Sequence, residues 1–208
     1  MTTAYAPTPE QMGARKLANT CMRYLCATDD ARATALAIAQ FDAADNMTDS
    51  IAALAALNDG ETKERKALFD RFEARWRDEP LVLDKWFALE ATSARADTLA
   101  RVKRLLAHPR FNAKNPNRVR SLVGAFTLRN FARFHGRDGG GYAFAADEVL
   151  ALDPTNPQLA AAIAGAFNLW MRFPEPRRRL MQAALQRIAT APGLSPDVTE
   201  VVTRTLVD

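Results

Sequence analysis

The stretch Asn115-Pro116-Asn117-Arg118-Val119-Arg120-Ser121-Leu122-Val123-Gly124 concentrates polar and basic groups at what reads as a helix start, followed by an apolar helix. Free backbone N–H groups there, with Arg118 and Arg120, could hold a carboxylate. A capped helix whose arginines pair with acids of a neighbouring element explains the same residues, and the sequence does not choose between the two. The other chemistry-bearing groups are sparser. His135 has Asp138 nearby and Gly139-Gly140-Gly141 after it. Without a preceding strand or a following Lys-Ser/Thr, the glycines read as a turn permitting positive φ, and His135 as a polar loop residue beside it. Arg177-Arg178-Arg179 opens a helix and reads as a solvated basic face. Trp76, Trp86 and Trp170 lie in helical stripes and read as core. The pairs Asp29-Asp30 and Asp147-Glu148 read as first-turn or exposed-face charges. There is no H-E-x-x-H, no G-x-S-x-G and no P-loop. His108 and His135 are too far apart for a local zinc motif, so the chain is expected to hold no cofactor of its own.

The elements that must position these groups are helices. Thr8-Pro9, Asn115-Pro116, Asn156-Pro157 and Ser195-Pro196 each place a capping side chain before a proline. The cap accepts a free N–H, and proline at the first helical position sacrifices no hydrogen bond. Thr8 with Gln11 fits a capping box, and Glu79-Pro80 and Glu175-Pro176 are weaker starts. Apolar spacing between these marks is helical. Ile51, Leu54, Ala55 and Leu57 form one stripe, Leu68, Phe72 and Trp76 a second. Leu99, Val102, Leu105 and Leu106 form a third, and Leu180, Ala184, Leu185 and Ile188 a fourth. The pattern predicts helices over 8–28, 30–43, 47–58, 61–78, 80–92, 95–107, 116–130, 142–152, 156–172, 175–190 and 195–207. It stops one helix at Asn58-Asp59-Gly60 and makes 131–141 the longest irregular piece. Short links between successive helices predict an all-α chain, an α-solenoid of stacked antiparallel helix pairs of the HEAT or armadillo kind, in a single domain over 1–208.

Composition excludes several classes. The chain has 208 residues, 48% hydrophobic and 25% charged, which excludes a disordered polymer. No apolar run approaches the ~18–20 residues of a membrane span. Met1-Thr2-Thr3-Ala4-Tyr5 lacks the basic and apolar blocks of a signal peptide, so a cytoplasmic chain is expected. A net charge of +4 is a small excess for a nucleic-acid binder. Cys21 and Cys26 would point about 140° apart on a helix, against a disulfide.

Several long motifs resemble one family. Phe41-Asp42-Ala43-Ala44-Asp45-Asn46-Met47-Thr48-Asp49 with Ala56-Leu57-Asn58, Asn115 to Leu122, Phe134-His135 with Asp138-Gly139, Gly141-Tyr142 and Phe144, and Asn156-Pro157-Gln158 follow one another as in the C-terminal helical domain of bacterial aminopeptidase N, a gluzincin-type zinc alanyl aminopeptidase. The resemblance implies a fragment of a larger enzyme that removes N-terminal amino acids from peptides. It implies zinc in the parent, bound by a catalytic domain this chain lacks, and no catalysis by the chain alone. It also implies that the domain encloses the active-site chamber and gates access, with the parent's catalytic domain and a peptide substrate as partners, and neither nucleic acid nor membrane. Arg120 and Gln158, with Asn117 and Arg118 beside Arg120, are implied to line the chamber. Ala162 stands where better-known members carry an arginine. A free-standing helical-repeat scaffold that binds a protein or peptide in its concave face is the other reading.

Overall fold

The computed structural model describes residues 5–28 and 30–207. Met1–Ala4, Asp29 and Asp208 lie outside the described residues, and with them the N-terminal signal reading and half of the Asp29-Asp30 pair. Among the described residues there are helices and no strands. The all-α expectation therefore holds. No helix is long and apolar enough to cross a membrane.

The helices form two compact units, Met1–Leu89 and Glu90–Asp208. The first contains α1 (Pro9–Cys26), α2 (Ala31–Ala43), α3 (Met47–Ala56), α4 (Lys63–Trp76) and most of α5 (Pro80–Thr92), which runs on into the second. Their starts follow the capping logic. Thr8, Asp30, Asn46 and Thr62 each accept a backbone N–H two or three residues ahead. The capping box at Thr8 is only half formed. Thr8 Oγ1 accepts from Gln11 N–H at 3.4 Å, but the Gln11 side chain turns back to Ala6 N–H at 2.9 Å. Helices two apart in the chain pack together: α1 against α3, and α2 against α4. This is how stacked helix pairs build two layers. The Asn58 turn does more than stop α3. Asn58 is buried, donates to Leu89 O at 2.7 Å, and accepts from the buried Arg65 guanidinium at 2.9 Å. Trp86 Nε1 donates to Phe69 O at 3.1 Å inside the same core.

The second unit holds α6 (Thr98–Leu105), α7 (Pro116–Val119), a π-turn over Arg120–Gly124, α8 (Ala125–Arg129), α9 (Phe131–Phe134), α10 (Gly140–Leu152), α11 (Pro157–Ala164), α12 (Glu175–Ala189) and α13 (Pro196–Val207). The last four again alternate: α10 packs on α11 and α12, and α13 on the same two. Three boundaries differ from expectation. The 131–141 stretch is not one irregular piece, because α9 fills its first turn and α10 begins at Gly140; the span 106–115 carries no helix instead. The helix expected over 156–172 ends at Ala164 and tightens into 3₁₀ turns at Gly165–Phe167 and Trp170–Arg172. That tightening buries Phe167 and lets Trp170 Nε1 donate to Thr205 O at 2.7 Å. Glu175 is the first residue of α12 rather than its cap, and Pro174 occupies the cap position.

The glycine run at 139–141 divides its work. Gly139 has φ +70°, as a turn residue should. Gly141 serves close approach instead: a Cβ there would lie 2.2 Å from Phe134 O. Asp138 caps the new helix by accepting Gly140 N–H at 3.2 Å.

Candidate functional site

Pro116 occupies the first position of α7, and Asn115 Oδ1 accepts from Asn117 N–H at 3.0 Å and Arg118 N–H at 3.4 Å. The cap consumes donors that an anion at this helix start would otherwise use. Arg118 then turns inward and is 5% exposed, while Ser121 Oγ donates to its carbonyl at 2.8 Å. Asn117 and Arg120 stand exposed.

Arg120 opens the π-turn, where Ala125 N–H reaches back five residues to Arg120 O. One extra residue in a helical turn rotates everything before it relative to everything after, and such turns cluster at functional sites. Arg118, Val119, Leu122, Val123 and Phe126 are buried along this stretch, with Arg120 left outside.

Gln158 belongs to a second proline-started helix. Asn156 Oδ1 accepts Leu159 N–H at 3.2 Å, and Pro157 is at the first helical position. Leu159, Ala160, Ile163 and Ala164 are buried. Gln158 and Ala162, one turn apart, share the exposed face of α11. Among the described residues, neither the Arg120 guanidinium nor the Gln158 amide is engaged in an ion pair or side-chain hydrogen bond. Arg120 is therefore not drawn into a structural pair with a neighbouring acid. Of the four candidates, Asn117, Arg120 and Gln158 present their side chains to the surface and Arg118 does not.

Two sites of unusual chemistry were misjudged from sequence. His135 is no loop surface residue. It is buried, its Nδ1 lies 3.0 Å from Tyr142 Oη, and its ring stacks on Phe173 at 4.2 Å. Burial, followed by the positive charge of Arg177, lowers its pKa to about 4. The imidazole is therefore neutral at ordinary pH. Asp138, close to it in sequence, accepts instead from Gly140 N–H at the start of α10. Glu148 is half-buried on α10, and burial, then the adjacent Asp147 charge, raises it to about 7. Asp147 is exposed and bonded to Arg187. The density of aromatics from Phe131 to Phe173 was the available signal for the first; nothing local marked the second.

The basic run is also partly consumed. Arg177 Nε donates to His135 O at 2.8 Å, and Arg178 and Arg179 both bond Glu175. The tryptophans follow expectation at Trp86 and Trp170, which are buried, whereas Trp76 is half-buried. Cys21 and Cys26 are both free thiols. Among the described residues, no three of His, Cys, Asp and Glu come together as a metal site.

The family profile described as "Domain of unknown function (DUF3458_C) ARM repeats" matches residues 1–207. The chain belongs to this family. The ARM-repeat description agrees with the alternating helix packing of both units and with the armadillo-like solenoid expected from sequence. The DUF3458_C chain is 39% identical to aminopeptidase N of Escherichia coli K12 over 95% of its length, covering 23% of that protein. It is 42% identical to aminopeptidase N of Caulobacter vibrioides over 93% of its length, covering 22% of that protein. The crystal structure of Legionella pneumophila aminopeptidase A in complex with aspartic acid superposes with a TM-score of 0.90 at 30% identity, over 99% of this chain and 25% of the other. The DUF3458_C chain thus spans about a quarter of the length of these relatives, and its resemblance to the C-terminal helical part of bacterial aminopeptidase N stands.

Proposed function

We propose that this chain is the C-terminal helical domain of a zinc-dependent aminopeptidase N. In the intact enzyme it encloses the active-site chamber and limits access to it. The observation that carries this is the pairing of near-complete coverage of this chain with coverage of about a quarter of each relative. Zinc in such an enzyme activates the water that cleaves the peptide bond. In this reading the ion is held by the catalytic domain of the intact enzyme. Both units, 1–89 and 90–208, act as one repeat domain in this reading, in a cytoplasmic enzyme.

This chain's own residues bind and orient. Arg120, exposed on the π-turn and unengaged, offers a permanently charged, forked donor to the carboxylate at the far end of a short peptide. Gln158 supplies an amide that can donate to or accept from the peptide backbone. Asn117 is the exposed neighbour of Arg120 one turn back, while Arg118 is buried. Ala162 leaves the wall without a second cation one turn after Gln158, so the carboxylate is gripped from one side only.

Kinetics of the intact enzyme test this. Arg120→Ala should raise KM for di- and tripeptides with a free carboxylate more than for amino-acid anilides, which have none. Equal changes for both substrate types would show that Arg120 does not read the carboxylate. If the reading frame upstream of Met1 does not encode a zinc peptidase, the whole assignment falls, and the free-standing scaffold takes its place.

A further inference from the structure

Charge is not spread evenly along the second unit. Of the forty residues from Thr98 to Arg137, ten are Lys or Arg and none is Asp or Glu, although the whole chain has 28 bases and 24 acids. The rest of the chain therefore carries an acidic excess. Three of the ten are absorbed by the fold. Arg101 pairs with Glu90 at 2.9 Å, Arg133 donates to Ala94 O, and Arg118 is buried. The other seven are exposed. Five of these lie along the passage from α6 to α7. Lys103 and Arg104 are in the last turn of α6, Arg110 and Lys114 in the connection, and Arg120 just past the first turn of the helix that follows. Arg129 and Arg137 stand at and beyond the far end of that helix. The connection is not slack. His108 N–H donates to Leu105 O at 3.1 Å, Phe111 N–H to His108 O at 2.8 Å, and Asn115 N–H to Asn112 O at 3.0 Å. Arg110 N–H donates to His108 Nδ1 at 3.1 Å and Lys114 N–H to Asn112 Oδ1 at 2.9 Å. These turns fix where the Arg110 and Lys114 side chains leave the backbone.

Cations in the last turn of a helix complement its dipole, which accounts for Lys103 and Arg104. That reason does not extend to Lys114 and Arg120, which flank a helix start, where positive charge is disfavoured. Among the described residues neither has an acid partner. Like charges gathered this way repel one another unless an anion from outside meets them. Six residues separate Lys114 from Arg120, a span of about 10 Å, comparable with the Debye length at physiological salt. One residue of extended peptide spans about 3.5 Å. A peptide whose C-terminal carboxylate meets Arg120 therefore has the side chains of its last three residues within the field of Lys114. We propose that this face reads acidic side chains near the C-terminus of the substrate, with Lys114 as the specificity residue and Arg110 adding to its field, so that the parent favours short acidic peptides. The inference rests on the placement of Arg120 in the chamber wall. A nucleic-acid strand is the other anion such a face could attract, and a net charge of only +4 disfavours it.

Initial release of the first alanine by the intact enzyme tests this, with the peptides Ala-Ala-Glu-Ala and Ala-Ala-Gln-Ala, alike except for one charge. At about 0.01 M ionic strength KM should be about two- to five-fold lower for the Glu peptide, the scale of an exposed ion pair. The ratio should fall towards one at about 0.3 M, where such charges are screened. Lys114→Ala together with Arg110→Ala should abolish the preference, and Arg137→Ala, at the far end, should leave it as it was. A ratio of one in the unmodified enzyme overturns the inference, as does a preference that survives high salt or the double substitution. Retention of the enzyme on single-stranded DNA without any Glu preference also overturns it, and gives the face to a polyanion. A missing Glu preference, with Arg120→Ala still separating free-carboxylate peptides from anilides, would sink this inference alone. Equal effects of Arg120→Ala on both substrate types would sink the carboxylate reading of Arg120 and this inference with it.

Discussion

Helices α1 and α10 use their residues in opposite ways. Seven of the thirteen residues of α10 are buried, among them Tyr142, Phe144 and Val149, and the helix is covered on several sides by α9, α11 and α12. Of the eighteen residues of α1 only an arginine is buried, and its large apolar side chains lie outside. Both are long, well-capped helices of one repeat family. The difference is in what surrounds them: α10 is packed by α9, α11 and α12 in the second unit, and α1 by α2 and α3 in the first. Amphipathicity alone therefore does not decide burial: the polar side of α1 is the one packed on α2 and α3, and its apolar Leu17 and Tyr24 lie exposed.

The comparison breaks most readily at α10. Phe144→Ala removes a fully enclosed ring that packs edge-on to Phe126 at 5.5 Å, and should cost about 3–5 kcal/mol of unfolding free energy by urea titration. A loss below about 1 kcal/mol would mean that α10 is no better packed than α1.

Titration sharpens it next, because the shifted acid lies on α10 and the shifted histidine against it. His135 falls from 6.5 to about 4 in the folded chain. Between those values the unfolded chain takes the proton first, so stability falls as pH falls through the window. Glu148 rises from 4.5 to about 7. The folded chain keeps that proton, so the stability it contributes below pH 4.5 is lost as pH rises through 7. The two slopes oppose each other between pH 4.5 and 6.5. Glu148→Gln should leave His135 alone there and make the urea midpoint climb with pH, where the parent sequence is flatter. An unchanged profile would show that Glu148 titrates as an ordinary exposed carboxylate.

The smallest effect belongs to α1. Tyr24→Ala in the 208-residue chain should change stability by no more than about 0.5 kcal/mol, apart from helix propensity. A loss comparable to that of Phe144→Ala would show that the Tyr24 face of α1 is already covered and erase the contrast.

Legibility followed the range of the interactions. Helix starts at Thr8, Asn115, Asn156 and Ser195 were readable because a cap bonds its own next turn. Val198 N–H, for example, donates to Ser195 Oγ at 3.2 Å. Arg120 and Gln158 were singled out by resemblance to a family, and their exposure agrees with a surface role. Which of Arg118 and Arg120 faces inward was not readable, because two residues along a helix put them on opposite sides and only the packing around α7 decides which side is the core. His135 was misjudged for the same reason: the ring that stacks on it, Phe173, is far along the chain, and no local pattern brings the two together.

The sequence by itself determined the helices, their caps and the membership of a repeat family, since each rests on contacts within a turn or on motifs carried whole. Only the tertiary structure decided which polar groups are buried, which arginine stays outside and which apolar face goes uncovered. Burial depends on what the rest of the chain places around a residue. The Arg15 side of α1 and the Leu17 side differ in sequence pattern, but it is packing against α2 and α3 that turned the polar side in.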